Sequence, residues 1–147
     1  MLAWCFNLKK NRDKSVLWFN GDVVFDEKIL DILDPFIQDN QSFVAVNTSK
    51  VAEEEVKYTL KDGFIDKLSK TVKNGLGEAV GINFISSDDI QDFINRLEEC
   101  DVNDYFERGL ELAIEKDNLK IKAVDISKYN CMEIDFIEDL ENVNNLL

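Results

Sequence analysis

Val16-Leu17-Trp18-Phe19-Asn20-Gly21-Asp22 sets an apolar run directly against a Gly-Asp pair. The run reads as a buried strand, and the Gly-Asp falls at its carboxyl end, the edge at which open α/β sheets bind their ligands. Far away in sequence, Glu133-Ile134-Asp135-Phe136 offers a second carboxylate at the opening of a C-terminal helical pattern. If the fold brings Asp22 and Asp135 together, they can share one hard divalent cation. Magnesium suits such a site, because it takes one or two carboxylates and completes its octahedron with phosphate oxygens and water.

The elements around these anchors interleave. Met1 to Leu8 is apolar with helix-forming residues and is closed by a basic, polar turn, Lys9 to Lys14. Glu27 to Ile37 carries a helical apolar stripe whose end Pro35 disturbs. Ser42 to Val46 reads as a short strand, and Val56–Leu60 and Phe64–Leu68 as a hairpin turned by Asp62-Gly63. Ala79 to Ile85 is a further strand. Ser86 or Ser87 caps a helix running to about Cys100, and Asp88 and Asp89 in its first turn suit the helix dipole. A helix from Asn103 or Asp104 to about Asp117 follows, then a strand over Leu119–Ile126 and a closing helix over Phe136–Leu147. This alternation predicts an α/β fold. The hairpin makes the sheet mixed, flanked by helices.

Composition excludes several function classes. At 147 residues the chain is one domain with room for a real core. A net charge of −13 argues against binding a nucleic-acid backbone. No apolar run reaches the roughly eighteen residues of a membrane span, and the start lacks the apolar core of a signal peptide. Cys5, Cys100 and Cys131 at unrelated spacings suit free thiols in a cytoplasmic setting. The absence of histidine rules out Ser-His-Asp and Cys-His catalysis and His-ligated zinc within this chain. Neither G-x-G-x-x-G nor a Walker loop is present. The chemistry left to the chain is that of carboxylates, lysines, hydroxyls and a borrowed metal.

Motifs in a fixed order then carry a resemblance: Phe19-Asn20-Gly21-Asp22-Val23-Val24-Phe25, Leu68-Ser69-Lys70, Gly77-Glu78-Ala79-Val80-Gly81-Ile82, Tyr105-Phe106-Glu107, and Glu133-Ile134-Asp135-Phe136-Ile137-Glu138-Asp139-Leu140. In this order they resemble the nucleotidyltransferase superfamily, and within it the cytidylyltransferases that load phosphocholine or 2-aminoethylphosphonate onto CMP. The resemblance implies a truncated Rossmann-like nucleotidyltransferase domain. Residues 1–147 would form its C-terminal part and lack the N-terminal nucleotide-binding βαβ unit with its glycine-rich loop. It implies Mg2+ on Asp22 and Asp135, with Lys70 pairing with the acceptor phosphate. Glu78 and Glu133 would face a choline or aminoethyl cation, and Tyr105 would lend a ring face if it looks into the same pocket. CTP and a small phosphorylated amine are the implied substrates, with either a homodimer or a partner supplying the missing half.

Simpler roles compete for each residue. Asp22 also reads as a turn residue, Asp135 as a helix-start carboxylate, and Lys70 and Glu78 as solvated side chains. Tyr105 and Phe106 at helical spacing read as core, Trp18 as packing, and Glu107, Glu138 and Asp139 as residues of solvated helix faces or first turns. Two other functions stay open: a non-catalytic remnant or interaction protein that keeps the fold, and a sugar-1-phosphate nucleotidyltransferase fragment.

Overall fold

A computed structural model describes residues 8, 13–49, 51, 54–134 and 136–144. The elements run β1 (Val16–Phe19), β2 (Val23–Phe25), α1 (Ile29–Gln38), β3 (Phe43–Asn47), β4 (Lys57–Lys61), β5 (Phe64–Ser69), β6 (Glu78–Ile85), α2 (Ile90–Leu97), α3 (Glu107–Asp117), β7 (Lys122–Asp125), β8 (Cys131–Glu133) and α4 (Ile137–Asn144). They form the expected α/β arrangement. A six-stranded sheet has the path β5-β4-β6-β3-β7 with β1 added on β6, and β2 and β8 form a separate two-stranded sheet. The larger sheet is mixed: β3 and β7 are parallel, and the remaining pairs are antiparallel.

β6 organises the molecule. β3 follows one of its edges from Phe84 to Glu78, while the other edge is divided between β1, over Ile82–Ile85, and β4, at Glu78. The division falls at Gly81, whose φ of +70° suits a residue without Cβ. Its carbonyl accepts the Asn20 N–H at 2.8 Å as the chain leaves β1. A Cβ on Gly81 would also sit 2.6 Å from Asn20 Nδ2, so the same residue makes room for the turn that carries Asp22.

Strand alternation builds a core on each side of the sheet. Val44 and Val46 of β3 face one cluster, the upper core, together with Trp18, Phe93, Leu97, Leu110 and Ala113. Phe43 and Ala45 face the other, the lower core, with Ile29, Leu33, Ile82 and Phe84. β3 is buried on both faces, as its unbroken apolar run requires. α2 buries Ile90, Phe93, Ile94 and Leu97, the i, i+3, i+4, i+7 stripe of a helix on a core. A bidentate pair, Arg96 Nε and Nη2 on Asp117 at 2.7 and 2.6 Å, ties α2 to the end of α3.

The hairpin turn forms as read. Asp62 and Gly63 have φ of +53° and +80°, the doubly positive pattern of a type I′ turn. Several readings need correction. α1 does not weaken at Pro35 but runs on to Gln38, because Phe36 and Ile37 pack on the lower core and hold the last turn. Ser86 precedes a turn, and its Oγ accepts the Asp89 N–H at 3.2 Å; the helix itself spans only Ile90–Leu97. α3 begins at Glu107, later than Asn103 or Asp104. β2 and β8 add strands where the sequence suggested none. The N-terminal helix read over Met1–Leu8 lies outside the described residues except for Leu8, which is buried in the upper core.

Candidate functional site

The turn after β1 brings Asp22 to the surface. Val23 N–H closes it on the Asn20 carbonyl at 3.3 Å, and the chain then enters β2. β2 pairs with β8 in the register Val23–Glu133, Val24–Met132 and Phe25–Cys131. One step further, Ile134 N–H donates to the Asp22 carbonyl at 2.9 Å. The two acidic motifs therefore lie on adjoining strands of one small sheet. Asp22 is exposed, and no hydrogen bond or ion pair from another described residue engages its carboxylate. Asp135 lies outside the described residues, so its distance to Asp22 is not part of the geometry. Among the described residues no cluster of three or more Cys, Asp or Glu is placed to hold a metal ion. A magnesium site built on one or two carboxylates does not require such a cluster, and the hard oxygen of Asp22 is a donor of the right kind.

Glu78, at the start of β6, and Glu133, at the end of β8, line the same cleft of about 410 Å³. Glu55, just before β4, and Asp139, in the first turn of α4, add further carboxylates, and Asn47 closes the end of β3. The walls are Ala79, Val80, Cys131, Met132 and Phe136. Four of the described lining residues are carboxylates, and Lys57 of β4 stands opposite one of them, Glu78, in the strand register. Burial, with the Glu133 carboxylate next to it, pushes the Cys131 thiol up to about 11, which disfavours its thiolate. Asp139 Oδ2 also accepts the Phe136 N–H at 2.9 Å, which caps the opening of α4.

Lys70 and Tyr105 are placed elsewhere. Lys70 is exposed in the turn directly after β5 and does not line the cleft. Tyr105 packs on the upper core, and its hydroxyl lies 3.2 Å from Ser69 Oγ and donates to Glu111 Oε2 at 3.3 Å. Its ring is not among the cleft's lining residues. Phe106 and Trp18 are core: the Phe106 ring meets Trp18 edge-on at 4.4 Å and Phe93 at 5.3 Å.

Glu107 corrects the sequence reading most sharply. It opens α3 at only 8% exposure and is not on a solvated face. Its carboxyl is pushed up by burial, which outweighs the opposing pull of its own backbone N–H and of Lys70, with a smaller upward push from Glu55. In the unfolded chain the same group gives up its proton at lower pH. It therefore favours the fold while protonated and penalises it as pH rises through the folded value. Glu107→Gln is expected to raise the urea midpoint by an amount that grows with pH and is readable at pH 7.5, because the amide is spared the cost of ionising a buried group, and to gain nothing near pH 4. Equal midpoints at pH 7.5 would contradict the assignment. Glu55, Asp139 and Glu107 were not singled out as site residues from sequence. Glu107 stands in the Tyr105-Phe106-Glu107 motif, which could have flagged it, whereas Glu55 ends an undistinguished acidic run.

No protein-family profile matches the sequence, and no curated protein matches it. Solved structures do match in fold. The inositol-1-phosphate CTP transferase from T. maritima superposes with a TM-score of 0.75 at 19% identity, over 98% of this chain and 60% of that one. This chain shares its fold with part of that transferase. A putative glucose-1-phosphate thymidylyltransferase from Bacillus anthracis gives 0.70 at 12% identity, over 99% of this chain and 59% of that one. A UTP-bound UGPase from Acinetobacter baumannii gives 0.66 at 10% identity, over 98% and 54%. The present chain thus spans about 60% of the length of the T. maritima nucleotidyltransferase it matches. Among the described residues no helix is long and apolar enough to cross a membrane.

Proposed function

We propose that this chain supplies the acceptor and metal side of a nucleotidyl transfer in the cytoplasm, with a cytidylyl group passing from CTP to a small phosphorylated amine such as phosphocholine or 2-aminoethylphosphonate. A phosphate or phosphonate oxygen of the acceptor attacks the α-phosphorus of CTP, the bond to the bridging oxygen breaks, and pyrophosphate leaves. Positioning and neutralisation of charge carry most of such a reaction. The observation that carries the reading is the acidic cleft: Glu55, Glu78, Glu133 and Asp139 converge on one space beside the Asp22 turn. A quaternary ammonium or aminoethyl group gains from that charge. Asp22 and Asp135 are the residues we assign to Mg2+, which when bound offsets the negative charge of the reacting phosphates. The nucleotide-holding unit, in this reading, comes from another segment or a partner.

A second reading, transfer to a sugar or inositol phosphate, draws support from the acceptors named for the T. maritima and B. anthracis proteins. The test is pyrophosphate release with magnesium, CTP and, in turn, phosphocholine, 2-aminoethylphosphonate, inositol-1-phosphate and glucose-1-phosphate. Alone, the chain is expected to turn over near background. Joined to a nucleotide-holding unit, fused or in trans, it is expected to favour the amines. Preference for the polyol phosphates would transfer the assignment to the second reading. A reconstituted domain inactive with every acceptor would point to a remnant. Robust turnover by the unaided chain would overturn the two-part reading.

A further inference from the structure

β1 is built like an inner strand and placed like an outer one. Val16-Leu17-Trp18-Phe19 is apolar at every position, the pattern of a strand covered on both faces. Yet among the described strands β1 pairs only with β6. Asn20 N–H donates to the Gly81 carbonyl, and antiparallel pairing alternates from there. Val16 and Trp18 turn their N–H and C=O groups to β6, whereas Leu17 and Phe19 turn theirs away from it. The strands at the two ends of the sheet path are protected. β5 and β7 lean together, with Ile65 N–H donating to the Ile121 carbonyl at 2.9 Å, and they carry Asp66, Lys67, Lys122 and Asp125. Charges of that kind blunt an edge. β1 has none, no proline and no break in its register. Its lower face is also unfinished: Leu17 and Phe19 are only half-buried on the lower core, where Phe19 stacks on Phe25 at 5.2 Å.

We infer that the outer edge of β1 is the seat of the nucleotide-holding unit, which adds a strand from outside these 147 residues to the sheet through the Leu17 and Phe19 backbone. Two observations choose this occupant. The T. maritima transferase matches 98% of this chain over only 60% of its own, so a large part of that protein lies outside the region the two share. The edge also leads straight into the turn that carries Asp22, at the carboxyl end of β1, where open α/β sheets bind their ligands. A unit seated there stands beside the carboxylate assigned to Mg2+. The inference rests on the proposed function for what that unit holds, whereas the open edge stands on this chain's own pairing and burial.

Amide hydrogen exchange read by NMR tests this on two proteins: the full chain, and the full chain fused to the part of the T. maritima transferase that it does not match. In the chain alone, the Leu17 and Phe19 amides are expected to exchange on the order of a hundredfold faster than that of Trp18. In the fusion they are expected to slow to the Trp18 rate. Slow exchange of Leu17 and Phe19 in the chain alone overturns the inference. If it is independent of concentration, the chain covers its own edge; if it deepens with concentration, a second copy does. Equal rates for these two amides in the chain and in the fusion overturn it as well. Pyrophosphate release by the same fusion is read separately. Protection without turnover on any acceptor keeps the docking edge and removes the proposed chemistry, whereas turnover without protection keeps the chemistry and removes the edge.

Discussion

Asp22→Asn is expected to abolish magnesium-dependent pyrophosphate release by the reconstituted domain, a fall of about a hundredfold or more, while leaving the fold intact. The separation of the two effects follows from the geometry. Asp22 is exposed, and its backbone carbonyl, which the substitution keeps, accepts the Ile134 N–H at 2.9 Å. The side chain is what a cation would use, and an amide oxygen is a poor replacement for a charged magnesium ligand. Pyrophosphate release and urea denaturation on the same preparation check both halves. A variant that keeps turnover within about threefold of wild type would remove Asp22 from the metal site. The same reasoning applies to Asp135→Asn.

Trp18→Ala should produce the largest loss of stability, about 3–5 kcal/mol, read as a drop in the urea midpoint. Trp18 is 5% exposed on β1, stacks with Phe93 at a centroid distance of 5.8 Å, and meets Phe106 edge-on at 4.4 Å. Truncation opens a cavity where β1, α2 and the start of α3 meet, and aromatic pairs add to the area lost. Against a typical total of about 5–15 kcal/mol, such a loss endangers the fold. β1 also carries the Asp22 turn, so site and core share this anchor. A loss under about 1 kcal/mol would show that the ring packing is not what secures β1.

How far the sequence specified this molecule depended on whether the signal was local. Asp62-Gly63 fixed its hairpin because two consecutive positive φ values need residues of that kind. The α2 stripe and the Val16–Phe19 strand were legible from periodicity and from an unbroken apolar run. β2 and β8 were not. Val23–Phe25 and Cys131–Glu133 are three residues each, and they become strands only by pairing with one another across most of the chain. Pro35 misled for a similar reason: the bond it forgoes is local, whereas the packing of Phe36 and Ile37 that outweighs it is tertiary.

The site shows the same division. Glu78 and Glu133 were picked out by motif, and the fold places both on one cleft. Asp139 read as a first-turn carboxylate, and it does accept the Phe136 N–H, yet it also lines that cleft. Glu107 at a helix start reads as solvated in any sequence, and its burial depends on β5 packing across α3. Tyr105 shows the reverse. Its motif suggested a ligand face, whereas its hydroxyl is committed to Ser69 and Glu111.

The central claim, that Asp22 and Asp135 hold one divalent ion beside the acidic cleft, is tested most directly by paramagnetic broadening. Manganese, added below one equivalent to the isotopically labelled full chain, is expected to broaden the amides around Asp22 and those around Asp135 together, before any other acidic segment. Asp22→Asn should erase both effects at once. Broadening at one segment with the other untouched, or broadening that Asp22→Asn leaves in place, would contradict the shared site.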